Sequence, residues 1–148
     1  MTDQRAPLIQ RGIVDLMIAA DRLRFQIEAA LRPMGINLTQ MSLLNHFSWQ
    51  PDRAQSITEL TDVMAINQPG VTKAIAALAD RGLVEKIDDA EDARVKRVKI
   101  TPAGLEALGQ ARQAAWPPVE AAFGSLDDEE LAAFTSHLVK MKASLAIS

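Results

Sequence analysis

One stretch, residues 56–104, constrains the fold of this chain more than any other. Ser56 and Glu59 have the spacing of a capping box, in which each side chain accepts a free backbone N–H at the start of a helix. A turn at Ala65-Ile66-Asn67 follows, with Asn67 as the N-cap of the next helix and Pro69 in its first turn. The first half of this stretch therefore predicts two short helices joined by a tight turn.

The second half of the stretch predicts a β-hairpin over 84–87 and 95–101. In its second strand Val98 and Ile100 alternate with basic residues, so one face is apolar and the other is cationic. Two helices followed by such a hairpin predict a winged helix-turn-helix, a structure that binds duplex DNA. We expect a mainly α-helical fold in which the hairpin is the small β-sheet wing.

Helical patterns flank this lobe on both sides. After a loose lead-in over 1–7, apolar spacing predicts a helix over 8–31, ended by Pro33 and Gly35. A second helix, capped by Thr39, is expected to end near Trp49.

A fifth helix starts at Pro102, and Trp116-Pro117-Pro118 is expected to kink or break it, because prolines remove backbone donors and clash with the preceding turn. The last helix has a heptad seam for packing against another helix. The expected organisation is an N-terminal dimerisation helix over 1–38, a DNA-binding lobe over 39–104 and C-terminal dimerisation helices over 105–148. The residues expected in the dimer contact are Ile9, Ile13, Leu131, Phe134, Leu138, Met141 and Leu145.

Composition excludes several functional classes. The chain of 148 residues has no cysteine, which excludes disulfides and thiolate metal sites. Its two histidines, His46 and His137, lack companion ligands, and no phosphate-binding loop or catalytic constellation is present. We expect a cytoplasmic protein that is not an enzyme and needs no metal or cofactor. The net charge of −3 does not itself indicate nucleic acid, but basic residues cluster between 94 and 99.

The fourth helix and the wing contain the candidate DNA contacts. Side chains of the Gln68 and Thr72 type hydrogen-bond base edges in the major groove, and Lys73 reaches a base or phosphate. At the wing, Asp92 is expected to hold Arg94 extended for the minor groove. The full prediction is Asn67, Gln68, Pro69, Gly70, Thr72 and Lys73 on the helix, and Asp92, Arg94, Lys96 and Arg97 on the wing, where Lys96 and Arg97 contact phosphates.

Two alternatives stay open on these residues alone. The helical pair and charged hairpin also fit an ordinary solvated surface. The acidic residues Asp88, Asp89 and Glu91 oppose phosphate, and they favour a winged-helix module that binds another protein instead of DNA.

The stretch resembles the MarR (multiple antibiotic resistance regulator) family of winged-helix transcription regulators. The resemblance is found in Leu60, Pro69-Gly70-Val71-Thr72-Lys73, Leu78, Arg81-Gly82-Leu83-Val84, Asp92-x-Arg94 and Ile100-Thr101-Pro102-x-Gly104. It implies a homodimer with interleaved terminal helices and a pseudo-palindromic operator, with repression as the expected outcome. Ala93 departs from the family, which commonly has a second basic residue beside the wing arginine.

The resemblance also implies a small aromatic ligand. Many family members bind one between the DNA-binding lobe and the dimer helices, and Met41, Leu44, Phe47 and Trp49 are the candidate border of such a pocket here. The alternative interpretation of these four residues is a plain apolar core.

Overall fold

A computed structural model describes residues 3–64 and 66–146. Its elements are helix α1 (Arg5–Leu31), a 3₁₀ turn (Arg32–Met34), helix α2 (Leu38–Ser48), strand β1 (Gln55–Ser56), helices α3 (Ile57–Met64) and α4 (Gln68–Asp80), strands β2 (Val84–Asp88) and β3 (Lys96–Ile100), and helices α5 (Pro102–Phe123) and α6 (Asp128–Ser144). The predicted fold class, mainly α with a small β-hairpin wing, is confirmed. Ala65, in the predicted turn between α3 and α4, lies outside the described residues.

The sheet has one strand more than the sequence predicts. Its order is β1-β3-β2, and both pairings are antiparallel. Gln55 pairs with Val98 and Ser56 with Arg97, so the residues just before α3 are hydrogen-bonded to the wing. A two-residue strand has too short a pattern to be recognised in a sequence, but it ties the start of α3 to β3.

Arg24–Ala115 form one compact unit, which we call the lobe. Its core is built from the inward faces of α2, α3 and α4, the hairpin and the first half of α5. The fully buried side chains at its centre are Leu43, Leu44, Phe47, Leu60, Val71, Leu78 and Val98. The predicted alternation of β3 is confirmed, because Val98 and Ile100 are buried whereas Arg97 and Lys99 remain partly exposed.

The described residues up to Leu23 and from Trp116 onward form a second compact unit, which we call the terminal unit. It contains α6, the first part of α1 and the second part of α5. Phe123 and Phe134 pack edge to face in it, with ring centroids 5.6 Å apart. None of its described residues is buried.

Two predicted helix starts were wrong. Helix α1 begins at Arg5, where the lead-in was expected to be loose, because Pro7 falls in the first turn and a missing N–H there costs little. Helix α2 is capped by Asn37 and not by Thr39. Asn37 Oδ1 accepts the Gln40 N–H at 2.8 Å, and Gln40 Oε1 accepts the Asn37 N–H at 3.2 Å. This capping box satisfies two free N–H groups, whereas a cap by Thr39 alone would satisfy one.

Of the predicted kink or break at Trp116-Pro117-Pro118, the break was wrong, since α5 continues through both prolines to Phe123. Each proline removes one hydrogen bond to the preceding turn. One of the two carbonyls that lose a partner belongs to Gln113, which is an exposed residue. The division between the lobe and the terminal unit nevertheless falls at this point, between Ala115 and Trp116.

Candidate nucleic-acid interface

Helix α4 is anchored to the lobe by its inner face and its cap. Val71, Ala74, Ile75 and Leu78 are buried at helical spacing, as predicted. The cap is Asn67, whose Oδ1 accepts the Gly70 N–H at 2.7 Å, with Pro69 in the first turn. This anchoring fixes which residues of α4 face outward.

The outer face of α4 exposes Gln68, Pro69, Thr72 and Lys73. Together with Ala76 they line one shallow depression on the surface. An amide, a hydroxyl and an ammonium group are thus gathered at the start of the helix, where free N–H groups and the helix dipole favour an anion. This surface has the chemistry to contact base edges and phosphates.

Gly70 also has a structural role, apart from the close approach to DNA that its small size is predicted to allow. A Cβ at this position would lie 3.0 Å from Asn67 Oδ1 and 3.0 Å from Ile66 Cγ2. Contacts this short would push the capping side chain away from the helix. Gly70 therefore preserves the cap that starts α4.

The wing tip positions Arg94 through Asp92. Asp92 Oδ1 accepts the backbone N–H and Nε–H of Arg94 at 3.0 and 3.1 Å, and Oδ2 accepts from Nη2 at 3.2 Å. These bonds to the Arg94 side chain lower the pKa of Asp92 below its ordinary value. The side chain of Arg94 is 91% exposed. A guanidinium held by a neighbouring carboxylate at an exposed tip is accessible for insertion into a minor groove.

The other two wing cations are engaged within the hairpin. Lys96 forms an ion pair with Asp88. Arg97 donates from Nε to Asp89 Oδ1 at 2.6 Å and from Nη1 to Glu59 Oε1 at 3.4 Å, and its side chain is only 34% exposed. These bonds lower the pKa of Asp89 and raise that of Arg97. A phosphate would have to compete with these carboxylates, so contact from Lys96 and Arg97 stays a prediction.

Sequence reasoning missed the bond between Glu59 and Arg97. Glu59 was assigned only to the capping box with Ser56, which is confirmed: Ser56 Oγ accepts the Glu59 N–H at 3.2 Å, and Glu59 Oε2 accepts the Ser56 N–H at 3.1 Å. The second oxygen of the same carboxylate reaches Arg97 across 38 positions of the chain. The β1–β3 pairing creates this proximity, and its only signal in the sequence is a pair of complementary charges.

Known proteins share this arrangement. A sequence profile of the MarR family matches residues 34–95, which include all of α2, α3 and α4 and most of the wing. The match contains helix α4 and the Asp92–Arg94 pair. Over residues 34–95 the chain is similar to the MarR family.

Solved MarR-family structures have the same fold. A mutant MarR from E. coli, complexed with operator DNA, superposes with a TM-score of 0.77 at 20% identity, over 95% of this chain and 99% of that chain. BpsR from Bordetella bronchiseptica gives 0.77 at 26% identity, over 90% and 98%. BldR from Sulfolobus solfataricus gives 0.73 at 22% identity, over 95% and 99%.

The candidate ligand pocket is only partly where the sequence placed it. Leu44 and Phe47 are fully buried in the lobe core, so for these two residues the plain-core interpretation is correct. Met41 and Trp49 lie at the surface of α2 and border a cavity of about 420 Å³, and Trp49 is 77% exposed. The other lining residues are Leu38, Ser42, Asn45, His46 and Met64.

His46 has a satisfied polar partner in the lobe. Its Nε2 lies 2.9 Å from Oε1 of Gln55, which is itself buried in β1. No cluster of three or more potential metal ligands occurs within residues 3–64 and 66–146. Over the same residues, every helix is too short or too polar to cross a membrane.

The residues predicted for dimerisation lie on α1 and α6. Ile9 and Ile13 are 56% and 50% exposed, and Leu145, which follows α6, is 70% exposed. Phe134 and Met141 are 38% and 39% exposed, while Leu131 and Leu138 are half-buried. Both helices therefore present apolar side chains that the protomer itself does not cover.

Proposed function

We propose that this protein is a sequence-specific, DNA-binding transcription regulator, not an enzyme. One observation carries the proposal: α4 exposes Gln68, Thr72 and Lys73 while Asp92 holds the exposed Arg94 side chain at the wing tip. The same fold is present in the E. coli MarR mutant that was solved with operator DNA. The two surfaces match two grooves of one duplex, since a helix fits a major groove and an arginine fits a narrow minor groove.

Each DNA-contacting residue has a distinct task in this mechanism. Gln68 and Thr72 supply hydrogen bonds to base edges and so select the sequence. Asn67, Pro69 and Gly70 form the helix start that brings these side chains and its free N–H groups to the duplex. Lys73 and Lys96 supply phosphate attraction that depends little on sequence, and Arg97 adds positive charge to the wing. Arg94, oriented by Asp92, reads the narrow groove beside the major-groove site.

The active form is proposed to be a homodimer. Residues 1–38 and 105–148 contribute the dimerisation helices, and residues 39–104 form the DNA-binding lobe. The exposed apolar side chains of α1 and α6 support this assignment, because a second copy would remove them from water. A two-fold axis then places the two recognition helices about 34 Å apart, one turn of duplex, on a pseudo-palindromic operator.

A small aromatic ligand is proposed to release the operator. The cavity beside Met41 and Trp49 combines an aromatic ring and thioether with the polar groups of Asn45 and His46. In BpsR from Bordetella bronchiseptica, DNA binding is regulated by 6-hydroxynicotinic acid, an aromatic acid of the same class. Such a ligand acts only if it binds a DNA-incompetent arrangement more tightly than the competent one. We propose repression as the effect of operator binding.

The alternative function, a winged-helix module that binds a protein partner, rests on the acidic wing. Three of the four carboxylates near the tip form ion pairs with wing cations: Asp88 with Lys96, Asp89 with Arg97 and Asp92 with Arg94. These acids balance neighbouring cations within the hairpin, so they are weak evidence for a basic protein partner.

The decisive experiment is genome-wide footprinting of the protein, with the bound sites then titrated by fluorescence anisotropy at several salt concentrations. Each phosphate that a cation neutralises should contribute about −0.9 to the slope of log K against log salt. Footprints with two-fold symmetry and a steep slope are expected. Repeating the titration with a panel of aromatic acids tests the ligand. Absence of footprints and a flat salt response would contradict DNA binding itself.

A further inference from the structure

A chain of side-chain and backbone bonds runs from α3 to the wing tip, and Arg97 is its central member. On one side, Arg97 bonds to Glu59, whose other oxygen is fixed by the Ser56 N–H at the start of α3. On the other side, Arg97 bonds to Asp89 at 2.6 Å. Its planar guanidinium, with donors in a fixed fork, suits a bridge between two carboxylates.

Asp89 connects Arg97 to the backbone of the wing tip. While Oδ1 is held by Arg97, Oδ2 accepts the N–H of Glu91 at 3.2 Å and the N–H of Asp92 at 3.1 Å. These bonds fix the backbone at the residue whose carboxylate orients Arg94. The tip is closed further by the backbone bonds from Asp89 N–H to the Val95 carbonyl and from Val95 N–H to the Asp92 carbonyl.

We propose that Arg97 is a positioning residue, which sets the wing tip and so the Arg94 guanidinium relative to α3 and α4 instead of contacting the operator itself. This inference rests on the proposed DNA binding for its functional consequence. Three observations support it: Arg97 is two-thirds covered, both of its carboxylate partners are anchored by backbone N–H groups, and the series of bonds ends on Arg94, whose side chain is 91% exposed.

The expected benefit of this bridge is pre-organisation. A short exposed loop would otherwise have to be ordered when DNA binds, and that ordering would weaken affinity. With the bridge intact, Asp89 keeps the tip backbone in place before DNA arrives. The raised pKa of Arg97 and the lowered pKa of Asp89 have the same cause, the bond between them, and keep both groups charged near neutral pH.

The first test needs no DNA. Backbone ¹⁵N relaxation of the free protein is compared for wild type, Arg97→Ala, Asp89→Ala and Lys86→Ala. Lys86 is the control, since it is an exposed cation of β2 with no ion pair among the described residues. Arg97→Ala and Asp89→Ala should lower the order of residues 89–95 and leave α4 unchanged, while Lys86→Ala should change neither. An unchanged wing tip in both variants would overturn the proposal, whether or not the protein binds DNA.

The second test separates positioning from direct contact by a double-mutant cycle. Arg97→Ala should weaken operator affinity by about fivefold to tenfold in the wild-type background and by less than about twofold in an Arg94→Ala background. Arg97→Lys, which retains the charge but pairs with one carboxylate only, should recover part of the loss. An Arg97→Ala effect that persists without Arg94, with a salt slope lowered by about 0.9, would indicate a phosphate contact and refute positioning.

Discussion

The lobe and the terminal unit are both largely helical, yet they bury their apolar residues very differently. Every buried residue of the described chain lies in the lobe, between Leu31 and Ala115. In the terminal unit, large apolar side chains such as Leu8, Val14 and Met17 are more than half exposed. The lobe therefore has a hydrophobic core of its own, whereas the terminal unit leaves its apolar surface to be covered by something else.

Because of this difference, the meaning of an exposed residue depends on the unit that contains it. Burying apolar surface contributes about 25 cal/mol per Å², so a set of exposed helices gains much from a second copy and little from its own fold. In the lobe, the exposed residues of α4 and the wing tip are mainly polar or charged, and they suit a polyanion. The exposed apolar side chains thus support the proposed dimer, and the exposed polar and charged side chains support the proposed DNA contact.

The largest expected effect comes from a charge in the terminal unit. Leu138→Asp places a carboxylate in the proposed heptad seam and should weaken dimerisation by more than about a hundredfold, because an unpaired charge is costly to bury. Sedimentation velocity at several protein concentrations measures this change. Ser136→Asp, which adds the same charge at an exposed position of α6, is the matched control. A Leu138→Asp protein that stays dimeric would refute the assignment of α6 to the interface.

The second prediction concerns the stability of the lobe and a substitution at the start of α5. A Cβ on Gly104 would lie 2.1 Å from the Leu83 carbonyl oxygen and 2.7 Å from Ile100 Cγ1, so Gly104→Ala should cost about 3 kcal/mol of unfolding free energy. Urea denaturation measures the loss. Gly109→Ala, in the same helix with nothing within 4 Å of its Cβ, should be neutral or slightly stabilising. If both variants unfold alike, the tight contact between α5 and the hairpin does not determine lobe stability.

A smaller effect is expected at the wing tip, where binding and folding should separate. Arg94→Ala removes an exposed side chain whose only bonds among the described residues are to Asp92, two positions earlier, so it should weaken operator affinity by about tenfold while changing unfolding free energy by less than about 0.5 kcal/mol. Anisotropy titration and urea denaturation give the two values. Unchanged affinity at physiological salt would exclude insertion of Arg94 into the minor groove.

Sequence reasoning identified the helix pair α3–α4 and the hairpin because their signals are local. The capping box at Ser56, the cap at Asn67 and the alternation in β3 each involve neighbours a few positions apart, and all three are present. The errors arose where local signals compete. Thr39 is a plausible cap by itself, but Asn37 and Gln40 cap each other, and prolines that break an isolated helix are tolerated in α5.

The candidate site was less predictable because it depends on contacts across the chain. The sequence places Asp89 and Arg97 in one hairpin. It does not show that their side chains form an ion pair, or that Glu59 also bonds to Arg97. Burial also depends on contacts across the chain. Leu44 and Trp49 are both apolar residues of the α2 region, yet Leu44 is fully buried and Trp49 is 77% exposed. Only the packing of α2 on the rest of the lobe separates a core residue from a cavity wall.

The smallest expected effect is on the order of the wing at acid pH. Asp89 and Asp92 have pKa values lowered by their bonds to Arg97 and Arg94, so their contribution is present above the ordinary aspartate pKa of about 3.9 and is lost as the pH falls through the lowered values. Wing order measured by ¹⁵N relaxation should stay constant from pH 7 to about pH 5 and decline below about pH 4. Asp89→Asn, which keeps an oxygen acceptor but cannot titrate, should lose most of this acid dependence. If the whole lobe lost order at the same pH, and residues 89–95 did not lose order first, acid would be acting on the core and not on the carboxylates that orient Arg94.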